Sequence, residues 1–146
     1  MSRIRGSIEI FLPVEEVFDT VADQRNEVHY NPRMTTSAKV TKGPIGVGTT
    51  FQATVLHRGR PLDMTIEYTA FDRPRRLTSR SVMAGAVAQG SVRCDPIEGE
   101  TRLSWDWQLS LSGLARLAGP LVARIGQRQE TQIWSGLKHY LEGGPA

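Results

Sequence analysis

Three histidines, His29, His57 and His139, are the side chains best suited to moving protons near neutral pH. Their positions in the 146-residue chain give no metal-ligand spacing such as His-x-x-x-His. No Gly-x-Ser-x-Gly nucleophile motif occurs, and one cysteine, Cys94, is too few for an internal disulfide or a Cys-rich zinc site. Cys94 shares the parity of Val92 and reads as a small core residue. The run from Gly43 to Gly48 lacks both the Gly-x-Gly-x-x-Gly order and the P-loop lysine, so it reads as a hairpin turn. What remains for catalysis is weak. Tyr68, His57 and Gln129 are candidate proton relays that would act by position rather than by strength. His57 has inward parity but stands at a strand end beside Arg58-Gly59, which favours solvent. No carboxylate has clear inward parity, and neither metal nor cofactor is expected.

Arg73, Arg75 and Arg76 crowd one turn, which reads as solvated, with phosphate or anionic-lipid contact the lesser alternative. No interleaved aromatics accompany them, so nucleic acid is not an expected partner. Arg80 has the opposite parity to Leu77 and Met83 and is expected on the outer face.

The elements that must hold these residues follow from hydrophobic period. Ile4, Ile8, Ile10 and Leu12 alternate with polar residues, a strand with one buried face. After Pro13, the residues Val14, Val17, Phe18, Val21 and Ala22 make one stripe of a short helix, with Glu15 and Glu16 at its positive end. A second short helical turn is expected near Glu27–Tyr30, before Asn31-Pro32. From Thr36 to Ser112 strands and tight turns alternate, as in an antiparallel meander. Alternation is cleanest over 62–70 and 103–111 and weaker over 77–83 and 88–94. A helix of ~22 residues, about 33 Å long, starts near Pro120 and ends at Gly143-Gly144-Pro145.

Six or seven strands, each with one apolar face, have a single long helix to cover them. A curved sheet wrapped round that helix tends to enclose a hollow, and small-molecule sites of this kind measure about 300–1,000 Å³. The expected lining is Phe51, Met64, Tyr68, Met83, Trp105 and Trp107 from the strands, with Ile125 and Gln129 from the helix. Tyr30 and Met34 are expected at the mouth. On the helix, Ala118, Val122, Ile125, Ile133, Gly136 and Tyr140 share a stripe centred on Gln129, and Trp134 projects away from it. Gln129 would either meet a ligand or bond a neighbouring side chain or strand.

Composition sets the outer bounds. The chain is 39% hydrophobic and 23% charged with a formal net charge of +3, which fits one folded domain over 1–146 and argues against disorder. No window approaches the roughly 20 apolar residues of a membrane span, and the N-terminus turns polar too early for a signal peptide. A cytoplasmic location is expected.

In this order the segments resemble the START/Bet v1-like (SRPBCC) superfamily, specifically its polyketide cyclase/dehydrase and lipid-transport branch. The resemblance rests on Pro13-Val14-Glu15-Glu16-Val17-Phe18 with Asp23, and on Tyr30-Asn31-Pro32, where the family usually shows Trp-Asn-Pro. It continues through Gly46-Val47-Gly48-Thr49, Arg73-Pro74-Arg75-Arg76-Leu77, Gly99-Glu100-Thr101-Arg102-Leu103 and Leu137-Lys138-His139-Tyr140-Leu141-Glu142. It covers nearly the whole chain and implies an α+β helix-grip fold with a cavity between sheet and C-terminal helix. Its members bind lipids, sterols, polyketides or other apolar ligands, and a minority catalyse cyclisation or aromatisation.

Three readings follow. The first is binding or transport of a hydrophobic or aromatic small molecule, and the second is a cyclase or aromatase using the same cavity. The third is a protein-interaction module, motivated by Trp134 outside the apolar stripe. A homodimer is left open.

Overall fold

Alternating burial along Ser2–Ile10 makes β1, whose inward Ile4 and Ile10 are buried while Arg3, Arg5, Ser7 and Glu9 face water. The computed structural model describes residues 2–143. Pro13 ends the extended run, and α1 (Val14–Ala22) buries the five apolar residues of its predicted stripe. Asp23 then accepts a hydrogen bond from the Arg25 N–H and starts a 3₁₀ turn, Gln24–His29.

Six strands follow: β2 (Met34–Lys39), β3 (Thr50–His57), β4 (Arg60–Asp72), β5 (Arg76–Met83), β6 (Ala86–Ile97) and β7 (Glu100–Leu111). A second 3₁₀ turn, Gly113–Ala118, leads into α2 (Gly119–Leu141). All neighbouring strands are antiparallel, in the order β1-β7-β6-β5-β4-β3-β2. The β3–β4 hairpin closes through Arg58 and Gly59, both at positive φ, a geometry that matches the twist of the strands it joins. At Gly90 the backbones of β6 and β7 come so close that a Cβ would stand 1.9 Å from the Asp106 carbonyl oxygen, so only glycine fits.

The inner face of the sheet carries Phe51, Tyr68, Leu77, Cys94, Leu103 and Trp105, with α1 packed against β6 and β7 and α2 along β1. The buried face of α2 differs from the expected stripe. Its buried residues are Ile133, Trp134 and Leu137, whereas Ile125 and Tyr140 are 41% and 43% exposed. The side chain of Ala118, assigned to the expected stripe, lies outside the described residues. Trp134 therefore does not project away: it is 5% exposed and packs inward. The contact face runs Gly126, Glu130, Ile133, Trp134, Leu137, Leu141, the i, i+4, i+7 pattern of a helix against a sheet. Two glycines let the helix approach closely. A Cβ on Gly126 would stand 2.5 Å from Ile4 Cδ1, and one on Gly136 would stand 2.3 Å from the Tyr30 carbonyl oxygen.

Candidate functional site: the sheet–helix interior

Between those two glycine contacts, α2 turns Glu130 and Trp134 toward β7. Strand alternation puts Leu103, Trp105 and Trp107 on the inner face of β7, where Trp105 is buried and Trp107 partly buried. Trp105 and Trp134 stack with ring centroids 5.7 Å apart. The Trp107 Nε1–H donates a short hydrogen bond to Glu130 Oε1. The Nε1–H groups of Trp105 and Trp134 are buried without a hydrogen-bond partner among the described residues. The Trp134 N–H is placed so as to favour the charged Glu130 carboxylate, yet falls short of hydrogen-bond geometry.

Glu130 is the most perturbed acid of this interior. Burial, reinforced by Glu27, pushes its carboxyl up to about 7, against the opposing pull of Trp107, Trp134 and Arg33. Part of its surface is still accessible although protein atoms surround it. Glu27, from the first 3₁₀ turn, is likewise raised by burial and takes a 2.8 Å hydrogen bond from Asn31 Nδ2. Tyr30 is buried beside both acids, and burial raises its phenol well above its ordinary value.

The expected lining residues divide into groups. Phe51 and Tyr68 are fully buried and pack together at 5.6 Å. Met64 and Met83 sit directly opposite each other on β4 and β5, both half-buried. Tyr30 and Met34 are buried where the first 3₁₀ turn meets β2. Trp107 bonds Glu130 and Trp105 stacks on Trp134, whereas Ile125 is exposed and Gln129 only half-buried.

The three proton-relay candidates fare differently. The Tyr68 hydroxyl donates to the Ala22 carbonyl at 2.5 Å and accepts from Gln24 Nε2 at 3.2 Å, so it fastens the end of α1. His57 is exposed at the end of β3. Gln129 lies next to the acid that occupies the contact face. Sequence reading missed Glu130 and Glu27. The spacing Gly126, Glu130, Ile133, Leu137 was the available signal for the first, since it places a charge inside an apolar stripe. Cys94 is fully buried, and burial raises its thiol to about 12, so it is inert.

A sheet curled about one long helix, with polar groups turned into an apolar interior, defines the helix-grip class of ligand-binding folds. The chain belongs to the polyketide cyclase/dehydrase and lipid transport family, whose model matches residues 1–142. Solved structures share this fold at low identity. One is a Thermus thermophilus protein, with TM-score 0.84, 17% identity and 99% of each chain covered. Another is the Zhui aromatase/cyclase from Streptomyces sp. R1128, with TM-score 0.84 and 13% identity over 97% of this chain and 93% of that one. A START superfamily protein from Mycobacterium smegmatis matches with TM-score 0.82 and 13% identity over 97% of this chain and 98% of that one. No curated protein sequence matches the chain. Among the described residues no helix is long and apolar enough to cross a membrane.

Proposed function

We propose that the chain binds a hydrophobic or aromatic small molecule, lipid-like or polyketide-like, between the inner face of the sheet and α2. One observation carries this reading: Glu130, a carboxyl desolvated by its surroundings yet not fully enclosed, stands with the Trp107 indole N–H in an otherwise apolar lining. Buried polar groups are normally paired, and apolar sites use a few such groups to orient their guest. The pole formed by Trp107 and Glu130 suits a ligand with a polar group at one end and an apolar body. The methionines 64 and 83 and Phe51 supply adaptable and rigid surface for that body. Native mass spectrometry of freshly purified protein, set against its denatured mass, tests this. A retained molecule of a few hundred daltons is expected. Failure to retain one, together with no binding of 1-anilinonaphthalene-8-sulfonate at micromolar concentration, overturns the reading.

Glu130 favours a second reading, a cyclase or dehydrase. A carboxyl whose ionisation lies near neutral pH suits general acid–base work. In an intramolecular aldol closure the carboxylate takes the α-proton as the carbon–carbon bond forms, then returns it to the new alkoxide oxygen. The enzyme ends as it began. Glu130→Gln would lower turnover of a poly-β-ketone thioester at least a hundredfold while leaving its binding within about threefold, whereas unchanged turnover removes the reading. The interaction-module reading loses its motive, because Trp134 is buried inside the fold.

A further inference from the structure

The outer face of the sheet carries a feature that interior binding does not use. Cross-strand register lays two rows of side chains over β1, β7, β6 and β5. One row reads Arg5, Asp106, Ser91, Thr78, and the next reads Ser7, Ser104, Arg93, Arg76. Short hydroxyl side chains occupy the middle and long guanidinium arms stand around them, which leaves a depression of about 860 Å³ open to solvent.

Arg76 and Arg93 are direct neighbours across β5 and β6. Like charges facing each other at this spacing destabilise a sheet unless something neutral or negative lies between them. The partners within reach do little to relieve the repulsion. Arg76 donates only to the Ser91 hydroxyl, at 3.1 and 3.3 Å, and Arg93 reaches Asp95 at 3.2 Å. Asp106 is already held by Arg3 through two bonds of 2.9 and 2.6 Å. Among the described residues neither Arg76 nor Arg5 has a carboxylate within ion-pair distance. Beside the two guanidiniums, the Ser91 and Thr78 hydroxyls touch at 2.9 Å, and either can turn its proton outward.

We propose that this depression is a binding site for a phosphate-type oxyanion, seated between Arg76 and Arg93 with the Ser91 and Thr78 hydroxyls as further donors. Guanidinium forks match tetrahedral oxyanions through paired N–H···O bonds, and the bound anion removes the repulsion the register creates. A free phosphate and the phosphate of a lipid headgroup share this chemistry.

Two probes separate those sources: pyrophosphate in calorimetric titration, with NaCl matching the ionic strength, and sedimentation with phosphatidylcholine vesicles with and without phosphatidic acid. Saturable pyrophosphate binding that weakens at least tenfold in R76Q/R93Q supports the site and a free phosphate. Binding only to vesicles containing phosphatidic acid, lost in the same variant, supports the site and a lipid headgroup. R102Q serves as control, because Arg102 faces Glu9 on the same surface outside the depression, and it should change affinity no more than twofold. In the absence of anion the double variant should unfold at or above the wild-type temperature, and pyrophosphate should raise the Tm of the wild type alone. If the double variant does not fold, Arg76→Gln alone gives the same comparison. The site is refuted if neither probe binds, if the variant binds as tightly as wild type, or if matched NaCl reproduces the effect.

Discussion

Trp105 on β7 and Trp134 on α2 stack with their planes 27° apart, and they join the long helix to the sheet at the middle of the contact face. Each is 5% exposed, so the pair acts as packing whatever else its N–H groups do. Trp134→Ala should lower stability by about 3–5 kcal/mol, read from the urea midpoint. Trp134→Phe keeps a ring there and should recover more than half of that loss. Were Trp134→Ala no less stable than wild type, the stack would not be holding α2 to the sheet.

Glu130 makes stability depend on pH in a definite direction. Its folded-state ionisation near 7 lies above the ordinary glutamate value of 4.5, so the native state holds the proton more tightly than the unfolded chain. Its contribution is fully present below about pH 4.5 and is lost as pH rises to about 7, a change of up to about 3 kcal/mol. Glu27 from the first 3₁₀ turn, Tyr30 at its end, Arg33, Tyr68 and Asp23 all act on the same cluster. Relative to wild type, Glu130→Gln should therefore gain stability at pH 8 and gain least at pH 5. Parallel urea curves for the two proteins at both pH values would contradict this.

Tyr68→Phe separates a structural hydroxyl from a functional one. It removes the bond to the Ala22 carbonyl and leaves Gln24 without its acceptor. A loss of about 1–3 kcal/mol is expected, with affinity for a hydrophobic dye changed less than twofold. A large affinity change at unaltered stability would return Tyr68 to the binding groups.

Gly136→Ala tests the close approach of α2 to the first 3₁₀ turn. Alanine favours a helix by about 1 kcal/mol over glycine. Its methyl group would stand 2.3 Å from the Tyr30 carbonyl oxygen, a backbone atom that cannot swing aside. The clash should win, with a net loss of about 1–3 kcal/mol in denaturant titration. Gly46→Ala, where nothing lies within 4 Å, should stay within about 0.5 kcal/mol of wild type.

The strands were legible because period-two alternation survives wherever one face is buried, as in Leu103, Trp105 and Trp107. Helix α1 was legible for the same reason at period 3.6. The face of α2 was not, because apolar residues occur on several of its sides. Exposed Ile125 and Tyr140 entered the expected stripe, and the contact face that contains Gly126 and Glu130 was passed over. Hydropathy counts a glycine and a glutamate against burial, whereas here one permits close approach and the other supplies polarity to the interior. Most of the expected lining residues face inward, since strand parity places them. The acids escaped notice, because their burial arises from the 3₁₀ turn, β7 and α2 meeting in space.

The glycines at 126 and 136 stand about 15 Å apart along the helix axis. They act as two fixed bearings that set how near the rod lies to its cradle. In the proposed binding mode, positions 130, 133 and 134, which fill the span between them, are what a guest would meet on the helix. Position 130 can therefore change the polarity of that span without disturbing either bearing, whereas 133 and 134 also carry the packing of the rod.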